Sequence, residues 1–349
     1  MKLTHWFSGF VPIAFLFPIA SVPHHAFVGV FDMGSIVEIN GELTELLWRN
    51  PHVRFSIRNL DGEVWEIETN SVSILSRMDI DPEIFSVGDN IRVAGSPALD
   101  GSLAMWTNNV MLSDGREVVM RPGVDPYWAG MDGVHGNSDI WLAEGSAISA
   151  TDNNDLGLFR VWSTHFTGPS RSLFGSRAFP LELDLPLTPA AAGAVSSFGE
   201  VVNVLGDCVA KGMPMIMEQP YPVEFVDQGD VILFRMEEYD AVRTIYMDPN
   251  VDIDMTPVRL GRSKGRWVGE DLHVTTTSID WPYFNARGVP QSEAIELYER
   301  FSVSDDGSRL NYYLTAIDPV TFTRPVELDK AWMWRPGEVI KPFECTPSE

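Results

Sequence analysis

YPVEFVDQGDVILFRMEEYDAVRTIYMD, residues 221–248, alternates apolar and polar side chains and breaks at Gly229, Asp230 and Asp240, as hairpin strands do. GRWVGEDLHVTTTSID (265–280) and SEAIELYERFSVSDDGSRLNYYLTAID (292–318) repeat the pattern, and it runs on to Trp334. Successive short strands of period two that end in turn residues build a closed antiparallel barrel, whose interior is a packed core or a pocket. Upstream, GLFRVWSTHF (157–166) reads as a first barrel strand. LTPAAAGAVSSFGEVV (187–202) reads as a helix capped by Thr188, with Pro189 at its first position.

A second β unit precedes it. GSIVEINGELTELLWRN, HVRFSIRNL and EVWEIETN predict three strands with Asp61-Gly62 in a turn, SVSILSRMDIDPEIF a helix capped by Ser71, and GDNIRVAGSPA and SLAMWTNNVML two more strands. Five strands with a helix after the third is the order of an OB-type barrel. The expected fold is thus mostly β: an OB-like small barrel over residues 22–120, a Gly/Asp/Asn/Pro-rich linker or capping loop over 121–154, and a lipocalin-like barrel domain over 155–349. Tyr127, Trp128 and Trp141 suggest that the linker packs on something.

The chain opens MKLTHWFSGFVPIAFLFPIAS, one Lys and then an apolar stretch of roughly 15 residues, which predicts a signal peptide over 1–21 and a periplasmic or secreted protein. Later segments fall short of the roughly 20 apolar residues of a membrane helix, so no membrane span is expected. In an oxidising compartment Cys208 and Cys345, the only two cysteines, predict a disulfide. A net charge of −24 argues against nucleic acid and anionic membranes, and makes a neutral or cationic ligand easier than an anionic one.

Further residues carry a family resemblance: His24-His25-Ala26-Phe27, Trp48-Arg49-Asn50-Pro51-His52, Asp61-Gly62 with Trp65 and Glu68, and LSDGREV at 112–118. In the C-terminal half they are Gln219-Pro220-Tyr221-Pro222, Glu238-Tyr239-Asp240 with Arg243, Gly265-Arg266-Trp267 with Gly269-Glu270-Asp271, and Ser292-Glu293 with Glu299-Arg300-Phe301. The chain resembles uncharacterised secreted bacterial proteins that hold a domain of unknown function. That resemblance implies an OB-like and a lipocalin-like region but no chemistry. Pro23 stands where such proteins often have Ala, which speaks against cleavage directly before His24 and against a metal site built on the terminal amine.

Three constellations could carry function. His24, His25 and His52 offer imidazoles for Cu²⁺ or Zn²⁺, against which stands the plainer role of His52 as a turn cap. His273 shares a strand face with Thr275 and Thr277, so it either looks into the barrel or sits outside among threonines. Inside, it would be a general base, with Glu238 or Asp280 orienting it and Arg243 or Tyr239 stabilising developing negative charge, in a cofactor-independent isomerase, lyase or hydrolase. Cross-strand surface pairing is the commoner use of such charged residues. The loop Asp280–Asn285, with Trp332 and Trp334 near the last strand, groups aromatics as a lid or a plug. The leading expectation is binding of a small, largely apolar molecule by Trp267, Trp281, Tyr283 and Tyr239, with Arg243 or His273 holding its polar end. No GxSxG elbow, P-loop, HExxH or dinucleotide fingerprint occurs, and no organic cofactor is expected.

Overall fold

A computed structural model describes residues 30–128, 134–136, 157–164, 185–198, 208–286 and 288–346. The first barrel comprises β1 (Val37–Leu47), β2 (Arg54–Asn59), β3 (Val64–Glu68), β4 (Asn90–Pro97) and β5 (Ala104–Met111), with helix α1 (Val72–Arg77) between β3 and β4. The order β3-β2-β1-β4-β5 closes through a β3–β5 pairing, and β6 (Glu117–Val119) and β7 (Val134–His135) extend the sheet beyond it. As the sequence predicts, Ser71 caps α1, its Oγ accepting from Ile74 N–H at 3.2 Å, and Gly62 takes φ +83° in the β2–β3 turn. Trp128 folds back on this barrel: its indole N–H donates to Glu38 at 3.1 Å while Arg92 lies 5.1 Å over its ring.

The second barrel has nine strands: β8 (Val161–Thr164), β9 (Val223–Asp227), β10 (Val231–Met236), β11 (Ala241–Tyr246), β12 (Arg262–Val268), β13 (Asp271–Thr277), β14 (Glu296–Val303), β15 (Arg309–Ile317) and β16 (Val326–Trp334). Helix α2 (Pro189–Phe198) begins at the expected Thr188 cap, whose Oγ1 accepts from Ala191 N–H at 3.3 Å. A ring with an odd number of strands cannot close with every neighbour antiparallel. Each barrel therefore carries one parallel pairing, β3–β5 in the small one and β11–β12 in the large one. The large barrel is otherwise antiparallel, as the sequence predicts.

The large barrel's interior is filled. Phe225 and Phe234 stack at 4.4 Å, and Tyr312 meets Phe301 at 4.9 Å and Trp332 at 5.8 Å, both tilted. Beside them the chain's own segment Lys211–Tyr221 enters the barrel as a plug, with Met213, Met215, Ile216 and Met217 buried. Lys330, inward on β16, donates to the carbonyls of Met217 at 2.9 Å and Gln219 at 2.7 Å. Gln291 Nε2 reaches Met213 O at 2.9 Å, and Lys211 pairs with Glu238 at 2.8 Å.

The two barrels share a seam made by the C-terminal residues. Arg77 of α1 grips Glu237 with two 2.6 Å hydrogen bonds and Glu338 at 3.0 Å. Phe343, fully buried, meets Tyr221 at 5.3 Å and Tyr239 at 4.9 Å, inside the small barrel's core. The predicted disulfide Cys208–Cys345 ties this tail to the start of the plug.

Candidate functional site

Strand β8 is preceded by Leu158-Phe159-Arg160, and period two places Arg160, Trp162 and Thr164 on one face. Pairing of β8 with β16 sets Trp162 opposite Trp334 and Thr164 opposite Trp332. The Arg160 guanidinium lies between two indoles, 4.7 Å from Trp162 and 4.7 Å from Trp334. Its Nε–H donates to Gly157 O at 2.8 Å. The side chain is 7% exposed, yet Nη1 has no hydrogen-bond partner and no carboxylate pairs with it among the described residues. Burial pulls its pKa below the ordinary guanidinium value.

Two further buried polar atoms on that face, Thr164 Oγ1 and Trp332 Nε1, also lack partners among the described residues. A buried polar group left unpaired costs about 1–3 kcal/mol, more when charged, so three on one wall call for an explanation. The rim beside them is apolar: Phe159 meets Trp267 edge-on at 6.0 Å, Trp267 is exposed, and Val303 and Trp334 are partly so. A forked cation between aromatic faces, next to an apolar rim, is the arrangement that takes the anionic end of an apolar molecule. The net charge acts at long range, whereas Arg160 acts at contact.

The residues singled out in the sequence fall in four places. His273 sits on the outer face of β13, half-buried and opposite Arg266 and Arg300, while Leu272, Val274 and Thr276 point inward. Among the described residues it has no carboxylate partner. Asp280 is exposed on the connection after β13, and Glu238 is buried against Lys211. The acid/base set is therefore not brought together, because the β13 register turns its only imidazole outward.

Arg243 is inside the barrel but fully committed. It pairs with both oxygens of Glu299 and donates to Thr276 and, at 2.8 Å, to Ser263, while the Tyr312 hydroxyl donates to Glu299 at 2.9 Å. Tyr239 packs on Phe343 at the seam between the barrels and does not line the interior. Trp281 packs on Gly212 at the plug, where a Cβ would overlap its indole, and meets Tyr283 edge-on at 6.2 Å. Of the four aromatics expected to hold the ligand only Trp267 reaches the Arg160 rim, which Trp334 of the expected aromatic lid also lines.

In the small barrel His52 Nδ1 shares a hydrogen bond with Glu68, and the imidazole stands edge-on to Trp106 at 5.1 Å. His24 and His25 lie outside the described residues. Among the described residues no group of three His, Cys, Asp or Glu side chains could hold a metal. Arg160 escaped the sequence reading although its signal was present: a cation alternating with Trp162 on what became an inward face.

Comparison with known proteins adds one finding at the N-terminal end. A family model described as a family of unknown function, DUF6152, matches residues 15–106. The match takes in His24, His25, His52 and Glu68, ends within β5, and leaves the large barrel outside it. None of the curated proteins matches the chain. Among the described residues no helix is long and apolar enough to cross a membrane.

Proposed function

We propose that the protein is an exported binding protein whose large barrel holds a small, largely apolar molecule by an anionic end at Arg160. The observation that carries this reading is a guanidinium buried between Trp162 and Trp334 with one nitrogen unpartnered among the described residues. The ligand body lies along Trp267 and Phe159, and Trp334, the partly exposed face of the sandwich, moves aside to admit its head. The barrel centre is not the site, since aromatic rings, the Arg243–Glu299 pair and the plug fill it. The apolar N-terminal stretch and the disulfide support export.

The test is a titration of intrinsic tryptophan fluorescence with dodecanoate and, separately, dodecanol. Dodecanoate is expected to give a saturable change, and Arg160→Gln to weaken it about 10- to 100-fold, as the loss of one charged hydrogen-bonded contact implies. Equal responses to acid and alcohol, or an Arg160→Gln variant that binds like the parent, would remove the reading.

A second reading rests on His52. With Nδ1 engaged by Glu68, only Nε2 is left for a metal, the orientation that carboxylate-supported imidazole ligands use. His24 and His25 would complete a Cu²⁺ or Zn²⁺ site. Retention of neither metal at micromolar concentration by the mature chain would end this proposal.

A further inference from the structure

The parallel seam that nine strands impose on the large barrel is short. On one side β11 pairs with β10 along its whole length, Ala241–Tyr246 against Val231–Met236. On the other it pairs with β12 only at Ile245–Ser263 and Tyr246–Lys264. Ala241–Thr244 thus forms an edge within the wall of a closed barrel. Along a strand the N–H and C=O groups turn alternately to the two sides, so two of these four residues present theirs to the seam. The Ile245–Ser263 pairing takes up the Thr244 carbonyl, and among the described residues no backbone bond outside the strand ladders reaches the Val242 N–H and C=O or the Thr244 N–H.

Beside this edge lies an open cleft of 260 Å³, bounded by Val242, Thr244 and Tyr246 on one side and Val258, Arg259 and Arg262 on the other. Val242 is 49% exposed at its lip. Arg259 is half-buried, donates one hydrogen bond to Lys211 O, and has no carboxylate partner among the described residues. Arg262 is only loosely paired, 3.9 Å from the exposed Asp254. Two guanidiniums beside alternating backbone donors and acceptors define the occupant: an extended chain that carries a carboxylate.

We propose that this seam docks an extended, acidic peptide segment of a partner protein, which adds as a strand along Ala241–Thr244 with its carboxylate on Arg259. A small anion would use the arginines but leave the Val242 carbonyl and the Val242 and Thr244 N–H groups without a strand partner. A peptide satisfies both, and strand addition needs only three or four residues, which suits the length of the edge. This site is separate from the Arg160 mouth, so either can fail without the other.

The probe is a positional-scanning library of acetylated hexapeptide amides, screened against the full chain with its disulfide intact. The expected result is enrichment of Asp or Glu at one position, at least tenfold weaker binding when that residue is changed to Asn or Gln, and loss of binding when alternate peptide nitrogens are methylated. Amide exchange at two of the residues 241–244 slows when the selected peptide binds. Arg259→Gln lowers affinity about tenfold, and the methylated peptide probes the same docking without altering the protein. Retention of no pool at millimolar concentration, or selection that ignores acidity and backbone methylation, overturns the proposal.

Discussion

Arg243 and Glu299 show how a polar group survives in the centre of a barrel. Both side chains are fully buried, and every neighbouring hydroxyl is recruited: Ser263 and Thr276 lie 3.0 Å apart, and Thr276 donates to Glu299 at 3.0 Å. The burial of Tyr312 beside Glu299 pushes its phenol well above its ordinary pKa, so it remains a donor. Glu299→Gln leaves a buried cation without its counter-charge and is expected to cost about 3–5 kcal/mol in urea unfolding. The Arg243→Met/Glu299→Leu double variant recovers only part of this, because the Tyr312 hydroxyl loses its acceptor and Ser263 and Thr276 keep only each other. Lys330 is a second buried cation, held by the plug's carbonyls, and desolvation lowers its pKa from 10.5 to about 7. Below about 7 the folded and unfolded chains both hold its proton and its contribution is flat; between about 7 and 10.5 only the unfolded chain holds it. That group therefore makes stability rise with pH across this window. Glu218, pushed up to about 8 chiefly by burial, acts oppositely between 4.5 and about 8. Urea midpoints measured from pH 8 to 10.5 are expected to climb in the parent and to climb less in Lys330→Met.

Among the elements, the plug is held by close approach as much as by hydrogen bonds. Gly212 passes against Trp281 and the Arg259 carbonyl with no room for a methyl group. Gly212→Ala is expected to cost about 1–3 kcal/mol and to shift Trp281 emission, read by denaturation and fluorescence. An unchanged midpoint would mean that the plug yields freely. The plug also marks where sequence reading stopped. The strands, the Ser71 and Thr188 caps and the Asp61-Gly62 turn were legible because their signals are local. GMPMIMEQP carries no period and no turn pair, so nothing short-range says that it enters a barrel. His273 was ambiguous for a related reason: threonines flank it on one face and share the other with Leu272 and Val274, so polarity alone did not tell inside from outside. Arg160 was hidden because its meaning depends on β16, which brings Trp334 from far along the chain.

At the level of the whole molecule, two barrels behave as one body only if their seam holds. That seam is the C-terminal tail: Glu338 on Arg77, Phe343 between Tyr221 and Tyr239, and Cys345 bonded to Cys208 across 137 residues of chain. Sequence identified the cysteine pair by elimination but not the packing of Phe343, which lies beyond the last strand with no pattern around it. Removing the Phe343 ring empties a buried site and is expected to cost about 3–5 kcal/mol. The loss falls at the junction rather than within either core, so Phe343→Ala is expected to split one urea transition into two. Breaking the disulfide acts differently. A crosslink closing so long a loop restricts the unfolded chain, and its loss, by Cys208→Ser with Cys345→Ser, is expected to cost about 2–5 kcal/mol. The plug's start and the tail's end then separate only on unfolding, because Lys330, Gln291 and Arg77 still hold the folded arrangement. The double serine variant should therefore keep the parent's native fluorescence and dodecanoate response while its urea midpoint falls. A variant that lost the dodecanoate response at full stability would place the disulfide in the binding site itself, where the geometry of Arg160 does not put it.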